Sequence, residues 1–413
     1  MDEKISLKYG EETVEIDVRG AASIETILPK PMEEITDLRK AFLRAVEQDA
    51  IGGVTLKDAV GPEDEVTIVV SDITRSWMHQ DRVMPLLVEY LHDRIGVPYE
   101  KTVILIALGT HRKSTPEEMV KICSKEVCDK VRVVDHDCDA DDLVYVGTTP
   151  LGTKVMMNPL VVGRKVIVMG GTVHHMMAGF GGGRKNLLPG VAGRETIRQN
   201  HERALDPEKA MSDVRVGCCK LTGNPIHEDM VEAAHLVHAD FGINLVVAGE
   251  MDAAWEASCE YQRKCYEIEV KEPADIVLCS SGGYPKDMNL YQGCKGMLNA
   301  MRALKPGGTM FWACKCPEGG GAPDYFSWLK PLQEGHLDAS LRADFTIGGY
   351  IFFLTVEQLN KAAHVYTLTE LDPEMVKPMG MEAGRDAAEL IGKIDFTGKR
   401  VYVLPLAGSV VPV

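Results

Sequence analysis

The stretch EVTIVVSDITR (65–75) decides the fold. Its VTIVV core is an unbroken β-branched and mostly apolar run, which is typical of a strand buried on both faces. The run stops at polar residues, with Asp72, Thr74 and Arg75 close behind it. Because ligands of open α/β sheets bind beyond the carboxyl ends of the strands, this stretch predicts both the sheet and the edge that carries the site.

Similar apolar runs recur along the chain and alternate with segments of helical spacing, which predicts an α/β fold with mainly parallel sheets flanked by helices. A pair of short strands is predicted around Gly10, over residues 4–18. Further strands are predicted at 65–72, 101–111, 130–137, 164–171, 275–283, 308–316, 364–371 and 399–405. Helices are predicted at 37–48, 84–95, 116–126, 293–304 and 387–394.

The pattern divides into two series, and the second begins after KEPAD (271–275). We therefore expect two domains, residues 1–270 and residues 271–413. Clefts between domains are common ligand sites, so the active site is expected in the cleft between these two.

The overall charge argues against two classes of partner. Acidic side chains outnumber basic ones by 61 to 45, which gives a formal net charge of -16. Such a surface repels nucleic acid and anionic lipid. No apolar run reaches the roughly 18 residues of a membrane-spanning helix, and the N-terminus MDEKISLKYG is charged where a signal peptide is apolar. We expect a cytoplasmic protein whose 11 cysteines are reduced thiols.

A glycine-rich segment lies in the middle of the chain, HMMAGFGGGRKNLLPGVAGRETIRQNH (175–201). Glycines at 179 and 181–183 allow positive φ and a close approach of backbone N–H groups to an anion such as phosphate. A flexible surface loop would explain the same composition, so both interpretations stay open at this point.

The lysine of this segment does not match the usual nucleotide motifs. A P-loop needs Gly before its Lys and Ser or Thr after it, whereas Arg184 precedes Lys185 and Asn186 follows it. The Rossmann glycine spacing is absent as well. Lys185 is then either a covalent attachment point for a reactive acyl or carbonyl group or a counter-charge for a phosphate. His201 lies in a predicted helix with no second His or Cys three or four residues further on, so other metal ligands would come from elsewhere, for example from an organic cofactor.

Several motifs carry a resemblance to one family. They are HMMAGFGGGRKNLLPG (175–190) with Asn200-His201, SDITR (71–75), GTHR (109–112), GNPIHEDM (223–230) and GGYPKDMNLYQGCKG (282–296). Together they resemble the signature of the nickel-dependent lactate racemase family, in the expected order and over both domains. The resemblance assigns cofactor binding and catalysis to the domain of residues 1–270.

The resemblance implies a cofactor and the residues that hold it. The family's cofactor is a nickel pincer, the pyridinium-3,5-bisthiocarboxylic acid mononucleotide, which separate maturation enzymes make. By motif position, Lys185 resembles the covalent attachment point and His201 the protein ligand of nickel. The remaining residues expected to contact the cofactor are Asp72, Thr74, Thr110, Gly181, Gly182 and Gly183.

The resemblance also implies a reaction, the racemisation or epimerisation of a small-molecule 2-hydroxy acid at C2. A base removes the hydroxyl proton while a hydride passes from C2 to the cofactor, and two histidines serve the two faces. His111 and His175 resemble these bases, and the spacing of ten residues before the lysine selects His175 over His174. Arg75 resembles the residue that holds the substrate carboxylate. Tyr291 and Gln292 are expected to bind the substrate, and Lys295 to bind it and to stabilise negative charge.

Two other functions are compatible with parts of the sequence. A nicotinamide-dependent dehydrogenase shares hydride chemistry but needs a dinucleotide fingerprint. A non-enzymatic binding protein for a phosphorylated ligand would explain the glycines and Arg75 but not the two histidines with Lys295. The identity of the 2-hydroxy acid and the oligomeric state stay open, and Arg112 or Lys286 are candidates to hold a second polar group.

Overall fold

The structure is a computed structural model that describes residues 1–413. Its strands are β1 (Glu3–Tyr9), β2 (Glu12–Val18), β3 (Ser23–Thr26), β4 (Val66–Ser71), β5 (Thr102–Ala107), β6 (Arg132–Asp135), β7 (Val144–Thr148), β8 (Lys154–Met157), β9 (Lys165–Gly170), β10 (His174–His175), β11 (Gly179–Phe180), β12 (Phe241–Asn244), β13 (Val247–Gly249), β14 (Glu267–Ile268), β15 (Ala274–Ser280), β16 (Leu304–Ala313), β17 (His364–Leu368), β18 (Glu382–Gly384), β19 (Arg400–Leu404) and β20 (Val411–Pro412).

The helices are α1 (Leu38–Glu47), α2 (Leu56–Ala59), α3 (Met84–Glu89), α4 (Pro116–Cys123), α5 (Lys125–Lys130), α6 (Arg194–His201), α7 (Pro225–Val237), α8 (Met251–Tyr266), α9 (Leu290–Met301), α10 (Leu329–Gln333), α11 (Leu337–Ala343), α12 (Ile347–Leu359), α13 (Pro373–Val376) and α14 (Ala387–Ile391). A π-helical segment, Tyr90–Ile95, continues α3. None of the helices combines the length and the apolar composition that crossing a bilayer requires.

Contacts divide the chain into two compact units, each with its own sheet. The Lys185 unit consists of Glu33–Ala204 and Val214–Gln262. The Lys295 unit consists of Met1–Met32, Leu205–Asp213 and Arg263–Val413.

The sheet of the Lys185 unit has six strands in the order β13-β12-β9-β4-β5-β6. All its pairings are parallel except that of β12 with β13. The chain steps from β4 to β5 and β6 on one side, and β9 and β12 lie on the other. The winding therefore reverses between β4 and β9, and such a reversal opens a crevice at the carboxyl ends of these two strands.

The sheet of the Lys295 unit is parallel throughout, in the order β18-β17-β16-β15-β19-β3. Its winding reverses between β15 and β19. These two sheets confirm the predicted α/β class with parallel strands and flanking helices. The helix caps follow local rules, since the Asp37 side chain accepts the N–H of Lys40 at the start of α1, and Asn224 caps α7 ahead of Pro225.

The division by contacts differs from the expected division at residue 270, because the first 32 residues join the C-terminal part of the chain. The strand β3 pairs in parallel with β19, which adds it to the second sheet. The hairpin β1–β2 lays its apolar face on the same sheet, where Ile5, Leu7 and Ile16 pack in one core with Leu278 and Phe311. Burial of this face holds the N-terminus in the Lys295 unit.

The hairpin gives a prediction for stability. Leu7 is fully buried, so Leu7→Ala is expected to cost the Lys295 unit roughly 2–5 kcal/mol of unfolding free energy through lost burial and the cavity left behind. Hydrogen exchange followed by mass spectrometry should show faster exchange in β15 and β16 and little change in β4 and β5. Ser6→Ala, on the exposed face of the same strand, is the control. Equal acceleration in the two sheets would contradict this assignment of the hairpin.

Candidate active site

The loops at the reversal point of the first sheet carry most of the candidate residues. Asp72 follows β4 and precedes a short 3₁₀ turn that contains Arg75, and His111 follows β5. Thr110 precedes His111, and His175 lies on the short strand that follows β9. The sequence-predicted edge of the sheet is therefore the edge where these residues lie.

An aspartate holds one of the two candidate bases. The Asp72 carboxylate lies 2.6 Å from Nδ1 of His111 and accepts a hydrogen bond from the Thr74 hydroxyl at 2.6 Å. Burial alone would raise the pKa of Asp72, but the His111 ring and the charge of Arg75 outweigh it and lower this pKa to about 2. The carboxylate is therefore ionised and accepts the Nδ1–H of His111, which directs the Nε2 lone pair away from it.

The other candidate base is held by the backbone. Nδ1 of His175 accepts the backbone N–H groups of Met177 and Ala178, each at 3.2 Å. A neutral ring in this position carries its proton on Nε2. His174 is directed elsewhere, since its ring packs against Phe180 with centroids 4.8 Å apart.

The glycine-rich loop is tightly packed in the structure. The Gly181 N–H donates to the Val173 carbonyl at 2.7 Å, so this group is already bonded. A Cβ on Gly182 would lie 2.8 Å from the Gly171 carbonyl oxygen, and one on Gly183 would lie 2.4 Å from the Trp255 ring. Packing thus requires glycine at two of these positions, whatever ligand the loop binds.

Asn186 fixes the loop to the sheet, a role that the sequence did not reveal. Its amide donates to the Met169 carbonyl at 3.0 Å and accepts the Ser71 hydroxyl at 3.1 Å. Asn186 therefore bridges β4 and β9 at the reversal point. Its neighbour Lys185 is held beside the ends of these strands as a consequence.

Lys185 is half-buried and His201 is buried, and the surroundings of both groups disfavour their charged forms. Burial and the positive charge of Arg75 lower the pKa of Lys185 to about 7, and the negative charge of Asp72 opposes this shift. Burial and the charge of Lys185 lower the pKa of His201 to about 3. At neutral pH the imidazole is uncharged and the amine has a large uncharged fraction.

The His201 ring is oriented as a metal ligand would be. Its Nδ1 lies 3.0 Å from the Ile197 carbonyl, so Nδ1–H donates and Nε2 keeps its lone pair. Metal-binding histidines usually make such a bond with the nitrogen that does not bind the metal. Lys185 and His201 therefore have the chemistry of an amine for acylation and of a nitrogen ligand.

A buried carboxylate fixes the end of α6, which carries His201. Asp229 is fully buried and accepts hydrogen bonds from Thr149 at 2.5 Å, Thr153 at 2.7 Å and Asn200 at 2.9 Å. Asp229 belongs to the GNPIHEDM motif, which is part of the family resemblance.

Tyr291, Gln292 and Lys295 form a separate cluster within the Lys295 unit, on the first turns of α9. The Asn289 side chain caps this helix by accepting the Gln292 N–H at 3.0 Å. Lys295 donates to the Gln292 side chain, and its Nζ lies 5.9 Å from the centroid of the Tyr291 ring. Tyr291 and Lys295 therefore share a face of α9.

Arg112, considered for a second polar group of the substrate, is engaged elsewhere. Its guanidinium forms a two-pronged ion pair with Glu118 at 2.7 and 2.8 Å. Glu118 also accepts the N–H of Thr115 at the start of α4. Arg112 therefore supports this helix start. Lys286 donates to the Ser409 hydroxyl at 2.5 Å within its own unit.

Two sequence models match the chain, and together they cover most of its length. The model described as the lactate racemase N-terminal domain matches residues 9–212, and that of the lactate racemase C-terminal domain matches residues 269–410. Curated relatives agree. A lactate racemase of Thermoanaerobacterium thermosaccharolyticum is 34% identical over 305 residues, which are 70% of this chain and 69% of that protein. A lactate racemase of Lactiplantibacillus plantarum is 30% identical over 361 residues, 83% of each protein.

Solved structures share the fold. The lactate racemase apoprotein of Thermoanaerobacterium thermosaccharolyticum superposes with a TM-score of 0.84 at 27% identity and covers the whole of both chains. A crystal structure from Thermotoga maritima has a TM-score of 0.64 at 17% identity, over 91% of this chain and 97% of that one, and shows the fold alone. The chain belongs to the lactate racemase family and is an isomerase.

Proposed function

We propose that this enzyme interconverts the enantiomers of a small 2-hydroxy acid such as lactate, with a nickel pincer cofactor attached to Lys185. The observation that carries the proposal is the pairing of the half-buried Lys185, whose amine is uncharged in large part, with the buried, uncharged His201. Asp72, which is ionised and bonded to His111, acts on Lys185 as well. A counter-charge for phosphate would need a charged lysine, whereas acylation needs a neutral one.

The residues fit such a cofactor. Lys185 offers an amine for covalent attachment, and His201 offers Nε2, a nitrogen donor that suits nickel. Asp72, Thr74, Thr110 and the glycines at 181–183 are the expected contacts, although the Gly181 N–H already donates to Val173. When bound, the cofactor supplies a hydride acceptor and donor for C2 of the substrate.

The chain's own residues would orient the substrate and move its proton. Arg75 holds the carboxylate in a bidentate contact, because a guanidinium matches its geometry. Nε2 of His111 takes the hydroxyl proton, and Asp72 stabilises the ring once it is charged. His175 serves the opposite face of the substrate. To act as a base through Nε2, it has to break the two hydrogen bonds that its Nδ1 accepts from backbone N–H groups, so that Nδ1 can carry the proton instead.

Tyr291 and Gln292 are proposed to bind the substrate, and Lys295 both to bind it and to stabilise negative charge on its oxygens. Cofactor-making enzymes are the proposed protein partners, since the chain must receive a finished cofactor.

Co-production with such enzymes tests the cofactor. Intact-mass and metal analysis are expected to find an adduct on Lys185 and bound nickel, and the loaded protein is expected to racemise lactate. Lys185→Ala should lose the adduct, the nickel and the activity, because alanine offers no amine for attachment. Lys154→Ala, an exposed lysine of the same unit, is the control. Unmodified wild-type protein under these conditions would refute the proposal, and a panel of enantiopure 2-hydroxy acids read by chiral chromatography then defines the substrate.

The two histidines are tested with the loaded enzyme. His111→Ala and His175→Ala are each expected to lower racemisation by roughly 10²- to 10⁴-fold, the usual contribution of general acid–base catalysis. Intact mass should show the adduct on Lys185 retained in both. His336→Ala, an exposed histidine of the Lys295 unit, serves as the control. Near-normal turnover of either variant would rule out the two-base scheme.

Asp72→Asn tests the orientation of His111. The amide keeps the size of the carboxylate but removes the charge that fixes the ring and stabilises its protonated form, so kcat should fall by roughly 10²- to 10⁴-fold. The melting temperature and the adduct on Lys185 are measured in parallel. Asp142→Asn, an exposed aspartate of the same unit, is the matched control. If kcat stays within a factor of about two of wild type, Asp72 has no part in proton transfer.

A further inference from the structure

One face of α8 is built around the glycine-rich loop. Asp252, Trp255 and Cys259 lie three and four residues apart, so they share a side of the helix. Trp255 is 2% exposed, and its indole N–H donates to the Gly181 carbonyl at 2.9 Å. Cys259 packs in the same small apolar cluster as Trp255. This face of α8 therefore contacts the loop directly.

The loop in turn fits the indole ring. Gly183 has φ +49°, and a Cβ there would lie between 2.4 and 3.0 Å from three atoms of Trp255. Nothing larger than hydrogen fits between the loop backbone and the ring. The ring of His227 stacks on Trp255 as well, with centroids 5.6 Å apart and planes 19° from parallel.

Arg184 connects the loop to α8 through its side chain. Its guanidinium lies over the Trp255 ring, 4.2 Å from the centroid, and pairs with Asp252 at 3.0 Å. The side chain is 6% exposed, and its Nε has no hydrogen-bond partner. Burying a guanidinium whose donors are only partly satisfied is costly, and an apolar side chain would fill the space at less cost. A specific conformational role would explain why arginine stands here.

Arg184 and Lys185 are consecutive residues of one 3₁₀ turn. Consecutive side chains in such a turn point about 120° apart. Because Arg184 is held against α8, Lys185 projects in another direction, toward the charges of Asp72 and Arg75 that act on it.

We infer that Arg184, Trp255 and Asp252, here called the α8 clamp, position Lys185 for attachment of the cofactor. The clamp holds the loop in its final shape in the protein without cofactor, so the amine is in place before attachment. This inference rests on the proposed role of Lys185. The three residues act through the loop and do not touch the reacting atoms.

The test uses three variants of the full chain. Trp255→Phe keeps an aromatic ring and removes the donor to Gly181. Arg184→Met keeps the bulk and removes the charge, and Arg184→Lys restores a cation. Trp328→Phe is the matched control, because Trp328 is also buried and donates its indole N–H to Asp324 at 3.1 Å, in the other unit.

The first measurement is hydrogen exchange of the loop in protein produced without the cofactor-making enzymes. Peptides that cover residues 176–190 should exchange about tenfold faster in Trp255→Phe and Arg184→Met, since each variant removes a bond that closes the loop. Peptides from β4 and β9 and the Trp328→Phe protein should match wild type. Arg184→Lys should restore most of the protection, which a loss of bulk packing alone would not explain.

The second measurement is the fraction of chains that carry the adduct after co-production, with the melting temperature recorded beside it. The fraction should fall about fivefold or more in Trp255→Phe and Arg184→Met and recover in Arg184→Lys. The inference would be overturned if the loop of Trp255→Phe and Arg184→Met exchanged at the wild-type rate. It would also be overturned if the loop exchanged faster but the fraction of chains with adduct stayed at the wild-type level. A wild-type chain without adduct would overturn the proposed function and the attachment role together, whereas the exchange data would still decide whether the clamp shapes the loop.

Discussion

The buried His201 and the half-buried Lys185 cannot both keep their charge, and the candidate site depends on this constraint. Removal of water disfavours the protonated forms of Lys185 and His201, and the charge of Lys185 opposes protonation of His201. The two neighbouring charges act on Lys185 in opposite directions, since Arg75 lowers its pKa and Asp72 raises it. The result is an uncharged imidazole beside an amine that is uncharged in large part at neutral pH, which is the state that acylation and metal binding both require.

Such an arrangement needs a scaffold that does not relax to relieve it. The lysine is fixed from one side by Asn186, which bridges β4 and β9, and the histidine by the turn of α6 that Asp229 holds through Asn200. Both anchors are short polar side chains with fully buried bonds. Such bonds are strong where water is excluded, and they define one conformation. The reversal of strand order between β4 and β9 sets where the site lies, and these buried polar contacts fix the positions of Lys185 and His201 within it.

The sequence predicted the parallel strands and the residues behind them, because apolar runs that end in polar residues are local patterns. It did not predict that β1–β3 join the C-terminal sheet, since pairing of Ser23–Thr26 with Arg400–Leu404 joins segments far apart in the chain. Nor did it predict that Trp255 packs against the glycine-rich loop, which lies about 70 residues earlier in the chain. The glycines indicated an unusual loop. They did not indicate that the Trp255 indole contacts two of them, Gly181 through a hydrogen bond and Gly183 through close packing.

The two candidate bases also show why residue types alone do not settle a mechanism. His175, ten residues before Lys185, and His111, after β5, look like equivalent bases in the sequence. In the structure a carboxylate holds His111, whereas backbone N–H groups hold His175. A carboxylate can only accept, so it directs a proton to Nδ1, while an N–H can only donate, so it directs the proton to Nε2. His111 therefore presents a lone pair in this conformation and His175 presents a donor. A scheme in which both act as bases through Nε2 thus requires motion of the β10–β11 hairpin or its ring, and the structure localises that requirement to one residue.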